Sequence, residues 1–179
     1  MKLPKRLIYL IEAILVIFIG WAIFGVLTHS SSLESVTVTL TPGGVEYHDK
    51  TVFGVGANDR AADYWLRVHT TEGTRDLGIF ANTEIGDGLT FTPQSNIPME
   101  EIVDLQLLDK DKFENDVLEQ FPYETEQHVG VNYTLEISST MKLESGFAWF
   151  FKTPVGIALL TGLMLGIVIV VIGNGGFSI

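Results

Sequence analysis

The chain has 179 residues and no cysteine, which excludes disulfides, thiolate metal sites and cysteine nucleophiles. Its 11 basic and 22 acidic residues give a net charge of −11, which argues against nucleic acid as a partner. Mean hydropathy is nevertheless positive, at +0.30. Because a uniform globule rarely combines these two properties, we expect them to be separated along the chain.

The first apolar run covers residues 7–27 and contains one charged residue, Glu12. A helix needs about 20 apolar residues to cross a hydrocarbon core of roughly 30 Å, so we predict a transmembrane helix over residues 7–28. The basic residues of segment 1–6 place that segment in the cytoplasm. A cleaved signal peptide fits less well, because the run is longer than a usual signal core.

Two side chains of this first run have predicted roles. Glu12 either contacts a partner helix or serves as a proton site inside the membrane, or it reaches back to the lipid headgroups. Trp21 is predicted to lie at the far membrane interface, where amphipathic indole rings concentrate. Both interpretations of Glu12 stay open on sequence alone.

The middle segment, residues 34–138, combines short strand-like patterns with most of the charge. Residues 28–151 include 21 acids and 7 bases, a net charge of −14. Alternating apolar residues and turn signals predict strands at 36–40, 45–47, 51–53, 64–70, 74–80, 89–92, 102–108 and 130–137. About eight short strands at this spacing predict an all-β antiparallel sandwich, which we expect to lie outside the cytoplasm.

A cluster of carboxylates follows the seventh predicted strand. Asp109, Asp111 and Asp116 lie close together in sequence, and such a cluster is tolerated where it is well solvated or where a hard cation neutralises it. The spacing excludes a helix–loop–helix calcium loop, because Phe113 occupies a ligand position and Glu114 the position of the required glycine. A solvated loop tip that keeps the domain from aggregating is the alternative to a metal site.

Three stretches of the middle segment resemble the C2 domain family. Residues 62–68 (ADYWLRV) are similar to the family's S-D-P-Y-V-K-V strand start. Residues 74–91 resemble the stretch from its K-T segment to its F-x-F strand, and the D-x-D at 109–111 resembles its third loop. The resemblance covers about residues 34–137 and implies a C2-like sandwich of about eight strands.

The same resemblance implies calcium as a cofactor. The implied ligands are Asp59, Asp63, Asp109, Asp111 and Asp116. Asp63 falls on one first-loop ligand of the family, whereas the other first-loop ligand has no aligned aspartate, so Asp59 or Asn58 would stand in for it from a shortened loop. Calcium takes six to eight oxygens at about 2.3–2.6 Å, and these carboxylates with a backbone carbonyl could supply them.

After the middle segment, residues 139–152 are predicted to be a linker that ends in an aromatic belt at the membrane interface. The belt consists of Trp149, Phe150 and Phe151. Residues 153–173 form the second predicted transmembrane helix, since residues 155–172 carry no charge. Residues 174–179 are predicted to be a short tail.

Small residues on the second apolar helix indicate a packing face. Gly162 and Gly166 form a GxxxG motif, and Gly173 falls on the same stripe. Glycines there allow another helix to approach closely, and the partner could be the chain's own first helix or another subunit. The motif is also common by chance in apolar helices.

The motifs of common enzymes are missing from the sequence. The four histidines are scattered, and no G-x-S-x-G, Walker loop or dinucleotide fingerprint is present, so we predict that the chain is not an enzyme. The first hypothesis is a small accessory subunit of a multisubunit membrane complex, for which a respiratory or photosynthetic assembly would fit. It would lie in a bacterial inner membrane with both termini cytoplasmic, and its partners would be larger integral membrane subunits. The second is a membrane-tethered C2-like module that binds lipid or protein through calcium.

Overall fold

A computed structural model describes residues 5–47, 61–110 and 115–173. Over these ranges the chain forms eight strands in two sheets, three α-helices and one 3-10 helical turn, Met99–Glu101. The strands belong to a sandwich unit, Ser31–Met141, and the residues on either side of it form a helical unit. The elements are α1 (Lys5–Thr28), β1 (Ser31–Leu40), β2 (Tyr64–Thr70), β3 (Gly73–Phe80), β4 (Leu89–Phe91), β5 (Ile102–Asp109), β6 (Asp116–Pro122), β7 (Gln127–Val129), β8 (Tyr133–Met141), α2 (Leu143–Lys152) and α3 (Pro154–Gly173).

The sandwich unit consists of two four-stranded antiparallel sheets, with strand orders β4-β1-β8-β7 and β3-β2-β5-β6. Strands β1 and β8 pair over their whole length, from Ser31 opposite Met141 to Leu40 opposite Tyr133. The chain therefore enters and leaves the unit at one end of this pair. The start of β8 lies at the other end.

The core of the sandwich follows from the two-residue period of a strand, which sends alternate side chains to the same face. On β2, the side chains of Tyr64, Leu66 and Val68 are fully buried in it. The neighbouring strand β5 adds Leu105 and Leu107, and the opposite sheet contributes a set that includes Val36, Val38, Leu135 and Ile137. Each such side chain contributes roughly 1.5–3 kcal/mol by leaving water, so this core is the main source of the unit's stability.

Most of the predicted strands are confirmed, and one is wrong. The sequence patterns at 36–40, 64–70, 74–80, 89–92 and 102–108 correspond to β1 to β5. Residues 45–47 form no strand, because their amides bond to side chains rather than to a neighbouring strand. Val45 N–H donates to the Asn132 Oδ1 at 3.1 Å, and Tyr47 N–H donates to the Tyr133 hydroxyl at 3.0 Å. The strand predicted at 51–53 lies outside the described residues.

Two strands are absent from the sequence prediction, and a third is displaced. Strands β6 and β7 have largely exposed side chains and lack a clear apolar alternation. The strand predicted at 130–137 begins only at Tyr133, because the Gly130 N–H bonds back to the Tyr133 carbonyl in a turn. Val131 is consequently 80% exposed instead of facing the core with Tyr133.

The helical unit contains a helix, α2, in the segment predicted to be a linker. Strand β8 continues to Met141, and α2 begins two residues later. α2 contacts both α1 and α3. α3 begins as the sequence predicts, with the Thr153 hydroxyl accepting the Gly156 N–H at 3.1 Å as an N-cap.

Helices α1 and α3 coincide with the two apolar runs of the sequence. Taken over the residues that the structure describes, neither they nor α2 combine the length and apolarity needed to cross a membrane. The helical structure predicted for residues 7–28 and 153–173 is therefore confirmed. That these two helices cross a membrane stays a prediction.

Candidate functional site

Five carboxylates lie at the end of the sandwich away from the Ser31–Met141 pair. We call this set the acidic end: Glu46, Asp63, Asp109, Asp116 and Glu119. The strand register explains part of the cluster, because Asp109 on β5 stands opposite Tyr64 of β2 on one side and Asp116 of β6 on the other. Carboxylates that are far apart in sequence thus meet at one edge of the fold.

Asp109 and Asp63 bind backbone amides at this end. Asp109 is 1% exposed, and its Oδ1 accepts the Asp63 N–H at 2.8 Å. The Asp63 Oδ1 accepts the Asn82 N–H at 2.5 Å. Asn82 has φ +49°, a left-handed conformation that asparagine tolerates in turns. The two carboxylates therefore connect the start of β2 with the end of β5 and with the turn after β3.

A second network joins Glu46 to two buried tyrosines. The Glu46 Oε1 accepts the Tyr64 hydroxyl at 3.2 Å and the Ile85 N–H at 2.6 Å. The rings of Tyr64 and Tyr133 meet edge to face, with centroids 6.0 Å apart. Burial raises the pKa of the Tyr64 phenol far above its ordinary value, and the nearby Tyr133 and Glu46 add to the rise. Burial also raises the pKa of Tyr133.

A cavity of about 330 Å³ opens beside this network. Its lining includes Tyr47, Asp116 and Tyr133 together with apolar side chains of β6. The Tyr47 hydroxyl donates to the Asp116 Oδ2 at 2.8 Å, which joins the segment before residue 48 to β6. With two phenols and the carboxylates of Glu46 and Asp116 around it, the cavity can accommodate a small polar group.

Glu119 anchors the turn that precedes β8. Its Oε1 accepts the Val131 N–H at 2.5 Å, and its Oε2 accepts the amides of Asn132 at 3.3 Å and Tyr133 at 3.0 Å. An added Cβ on Gly130 would collide with the same carboxylate. The sequence gives little sign of this role, because Glu119 lies on an edge strand with no capping motif around it.

We expect the sandwich to lose stability at alkaline pH because of Tyr64. The unfolded chain ionises this phenol near pH 10, whereas the folded chain holds its proton to a higher pH. The contribution of the protonated Tyr64 phenol to the free energy of unfolding is therefore fully present below about pH 10, and it declines as the pH rises above that value. Urea unfolding between pH 7 and pH 11 measures the effect. Tyr64→Phe should flatten the alkaline slope, and an unchanged slope in this variant would contradict the assignment.

The metal site implied by the sequence is only partly covered by the structure. Asp63, Asp109 and Asp116 come together at the acidic end, whereas Asp59 and Asp111 lie outside the described residues. Across the ranges that the structure describes, no group of three or more His, Asp or Glu side chains is arranged to hold a metal ion. The calcium site stays a prediction.

The aromatic residues predicted for the membrane interface have differing surroundings within the helical unit. Trp149 stacks on His29 with ring centroids 3.8 Å apart, and Phe150 is buried beside Trp21 at 6.4 Å. Trp21 and Phe151 are both more than two-fifths exposed. Trp149 and Phe150 thus contribute to helix packing, which the sequence interpretation as an interfacial belt did not include.

The predicted packing glycines differ from the glycines that make close contacts. A Cβ on Gly162 would meet nothing within 4 Å, so no described part of α1 approaches it. Gly166, Gly173 and Glu12 lie in α3 and α1, but the surroundings of their side chains fall outside the described residues. The close approaches are made by two other glycines. Gly146 lies against the Val26 carbonyl and the Ser30 hydroxyl, and a Cβ added to Gly25 would lie 2.7 Å from the Trp149 ring.

Compared with models of known protein families and with curated proteins, the sequence matches none. The fold itself is a two-sheet antiparallel sandwich, an architecture that hosts many unrelated functions. Function must therefore be inferred from the surfaces and contacts of this chain.

Proposed function

We propose that the chain is a small accessory subunit of a multisubunit membrane complex. Its helices would contact lipid and larger integral membrane subunits, and its sandwich would brace the extracytoplasmic face of those subunits. The observation that supports this proposal most strongly is the apolar surface that the helical unit exposes.

That surface extends around α1 and along α3. Away from the face that carries Gly25 and Val26 and packs on α2, large side chains of α1 are 47% to 72% exposed; they include Ile14, Val16, Ile17, Ile19, Ile23 and Phe24. On α3 the exposed apolar residues include Ile157, Leu159, Leu160 and Met164. Soluble monomers rarely expose contiguous apolar patches above a few hundred Å². Lipid or partner helices would remove this surface from water, at a gain of roughly 25 cal/mol per Å².

The sandwich has the opposite surface character. The sandwich unit, Ser31–Met141, carries a net charge of −14, and its apolar residues are largely inside a core of its own. Such a unit is suited to water. The basic segment 1–6 favours a cytoplasmic start, which would place the sandwich on the periplasmic side of a bacterial inner membrane. A respiratory or photosynthetic complex would fit this arrangement.

Purification in mild detergent tests the accessory role. We expect the tagged full chain to stay with the membrane during a carbonate wash and then to migrate with larger integral membrane subunits. Gly162→Leu should weaken that association, because a small residue that meets nothing within 4 Å among the described residues is available to a partner helix. Gly162→Ala, which keeps a small residue at the same position, is the control. A chain that migrates alone, or that washes off, would contradict the proposal.

A second candidate function is a C2-like, calcium-dependent module that binds lipid or protein. It is favoured by one observation, the convergence of Asp63, Asp109 and Asp116 at a single end of a two-sheet sandwich. Two of these carboxylates already accept backbone amides through one oxygen each. Lys110, which could contribute a basic rim for lipid, lies over the Trp65 ring at 5.3 Å.

Calcium titration separates the two candidates. For the accessory role we expect millimolar calcium to leave the melting temperature of the full chain unchanged. A calcium-binding module would instead be stabilised by about 2.7 kcal/mol at a calcium concentration 100 times the Kd, and a chelator would reverse the shift. Magnesium at the same concentration controls for ionic strength. A calcium-specific rise that Asp109→Asn abolishes would favour the second candidate.

A further inference from the structure

Helix α2 has one face buried against α1 and another that is exposed. Ser145, Gly146 and Phe150 are buried. The exposed stripe consists of Leu143 and Phe147, each 51% exposed, and Phe151, 45% exposed. These three residues are four positions apart, so they lie on the same side of the helix. α2 is therefore amphipathic, with a row of large apolar side chains that the described residues leave about half exposed.

The contacts between α1 and α2 hold the two helices close together. Gly146 allows α2 to approach the Val26 carbonyl, and Trp149 packs on Gly25. The Lys142 N–H donates to the Ser30 carbonyl at 2.7 Å at the beginning of α2. Because backbone atoms of both helices take part, the spacing between the helices has little freedom to change.

A groove of about 300 Å³ lies between these two helices. One wall is formed by four residues of α1 between Ala22 and Leu27, and the other by the apolar side chains of α2, including the exposed stripe. Every residue that lines the groove is apolar. The groove therefore provides no side chain that can donate or accept a hydrogen bond.

The apolar lining favours a hydrocarbon chain as the occupant. An extended peptide in this groove would bury backbone N–H and C=O groups without partners, at a cost of several kcal/mol for each group. A partner helix satisfies its own backbone, but it is about 10 Å across with its side chains, so a groove of this size would accept only side chains from it. A fatty acyl chain has no polar groups, so an apolar lining leaves none of its atoms without a suitable neighbour.

The ends of α2 add charge to this apolar surface. Lys142 directly precedes Leu143 and Lys152 directly follows Phe151, while Glu144 in the first turn is the one acid of the helix. At 1.5 Å per residue the two lysines are about 15 Å apart along the helix axis, one at each end of the exposed stripe. Amphipathic helices with basic residues beside an apolar face bind at membrane surfaces and prefer anionic lipids.

The geometry points to a phospholipid-binding site. The groove between α1 and α2 holds an acyl chain of an anionic phospholipid, and Lys142 or Lys152 contacts its phosphate. α2 then lies in the plane of the membrane interface, with Leu143, Phe147 and Phe151 directed into the lipid. This inference rests on the proposed membrane location and adds to it a defined lipid class and a defined binding position.

Native mass spectrometry of the delipidated full chain tests the site, with phosphatidylglycerol and phosphatidylcholine of identical acyl chains as probes. We expect one added phosphatidylglycerol molecule to bind to each chain. Ile23→Trp, which fills the groove from its exposed side, should weaken binding at least tenfold, and so should Phe147→Glu. Ile19→Trp, one turn away on the same helix and outside the groove, is the matched control. Lys142→Gln and Lys152→Gln should each lower the preference for phosphatidylglycerol by about fivefold.

Several results would overturn the inference. They are equal binding by wild type, Ile23→Trp and Phe147→Glu, equal affinity for both lipids, or a protein helix that co-purifies in the groove in place of lipid. The proposed function fails separately. If the chain washes off membranes but still binds phosphatidylglycerol through the groove, the accessory role is wrong and the lipid site is supported. If the chain stays in the membrane but its groove binds no lipid, only the lipid site is wrong.

Discussion

Glu119→Ala is expected to destabilise the sandwich by about 3 kcal/mol, a large effect for one partly exposed residue. The carboxylate accepts three consecutive backbone amides, those of Val131, Asn132 and Tyr133. A hydrogen bond to a charged group contributes roughly 1.5–3 kcal/mol, and some of the released amides would regain water, so the loss is smaller than the sum of three. The loss of structure should be largest at the start of β8, where the Tyr133 side chain enters the core.

Urea unfolding of the full chain in detergent, followed by far-ultraviolet circular dichroism, measures this loss. Glu136→Ala on β8 is the matched control, because Glu136 is exposed, and we expect it to change stability by less than about 0.5 kcal/mol. Glu119→Gln should be intermediate, since the amide keeps one acceptor oxygen. If Glu119→Ala is as stable as the Glu136 control, the carboxylate does not anchor this turn.

Gly146→Val should disrupt the packing of α2 on α1. The new Cβ would collide with the Val26 carbonyl oxygen and the Ser30 hydroxyl. A backbone carbonyl inside a helix cannot rotate away as a flexible side chain would, so α2 must shift as a whole. Overpacking of this kind costs about 1–3 kcal/mol or more. The groove between the two helices should widen or be lost with the shift.

Thermal unfolding of Gly146→Val in detergent measures this loss of stability. The melting temperature should fall by about 2–4 °C for each kcal/mol lost from the free energy of unfolding. Ala148→Val introduces a similar side chain at an exposed position of the same helix and is expected to have little effect. The interpretation of Gly146 would be wrong if Gly146→Val and Ala148→Val had the same melting temperature and bound phosphatidylglycerol equally.

The parts of the fold that the sequence predicts well are those with a local signal. Residues 64–70 alternate apolar and polar side chains, and β2 has the same bounds. β6 has little such signal, because Phe121 is its one buried side chain and the others are wholly or partly exposed. α2 was missed because a ten-residue helix that begins directly after a strand resembles a linker in composition.

The contacts of the candidate site were less predictable, because they join distant residues. The sequence singles out Asp63 and Asp109 as acids, but the bond between the Asp109 carboxylate and the Asp63 amide spans 46 positions. Glu46, which bonds to Tyr64, sits where a strand was expected. Likewise, GxxxG directs attention to Gly162, whereas Gly146 makes the close contact and belongs to no known motif.

Protease protection in sealed membrane vesicles tests most directly whether the helical unit lies in a membrane with the acidic sandwich outside the cytoplasm. In inside-out vesicles we expect the sandwich unit to stay intact until detergent opens the membrane, and in right-side-out vesicles we expect added protease to cleave it at once. Cleavage of the sandwich in intact inside-out vesicles, or recovery of the whole chain in the aqueous fraction, would contradict the proposed location and the accessory role with it.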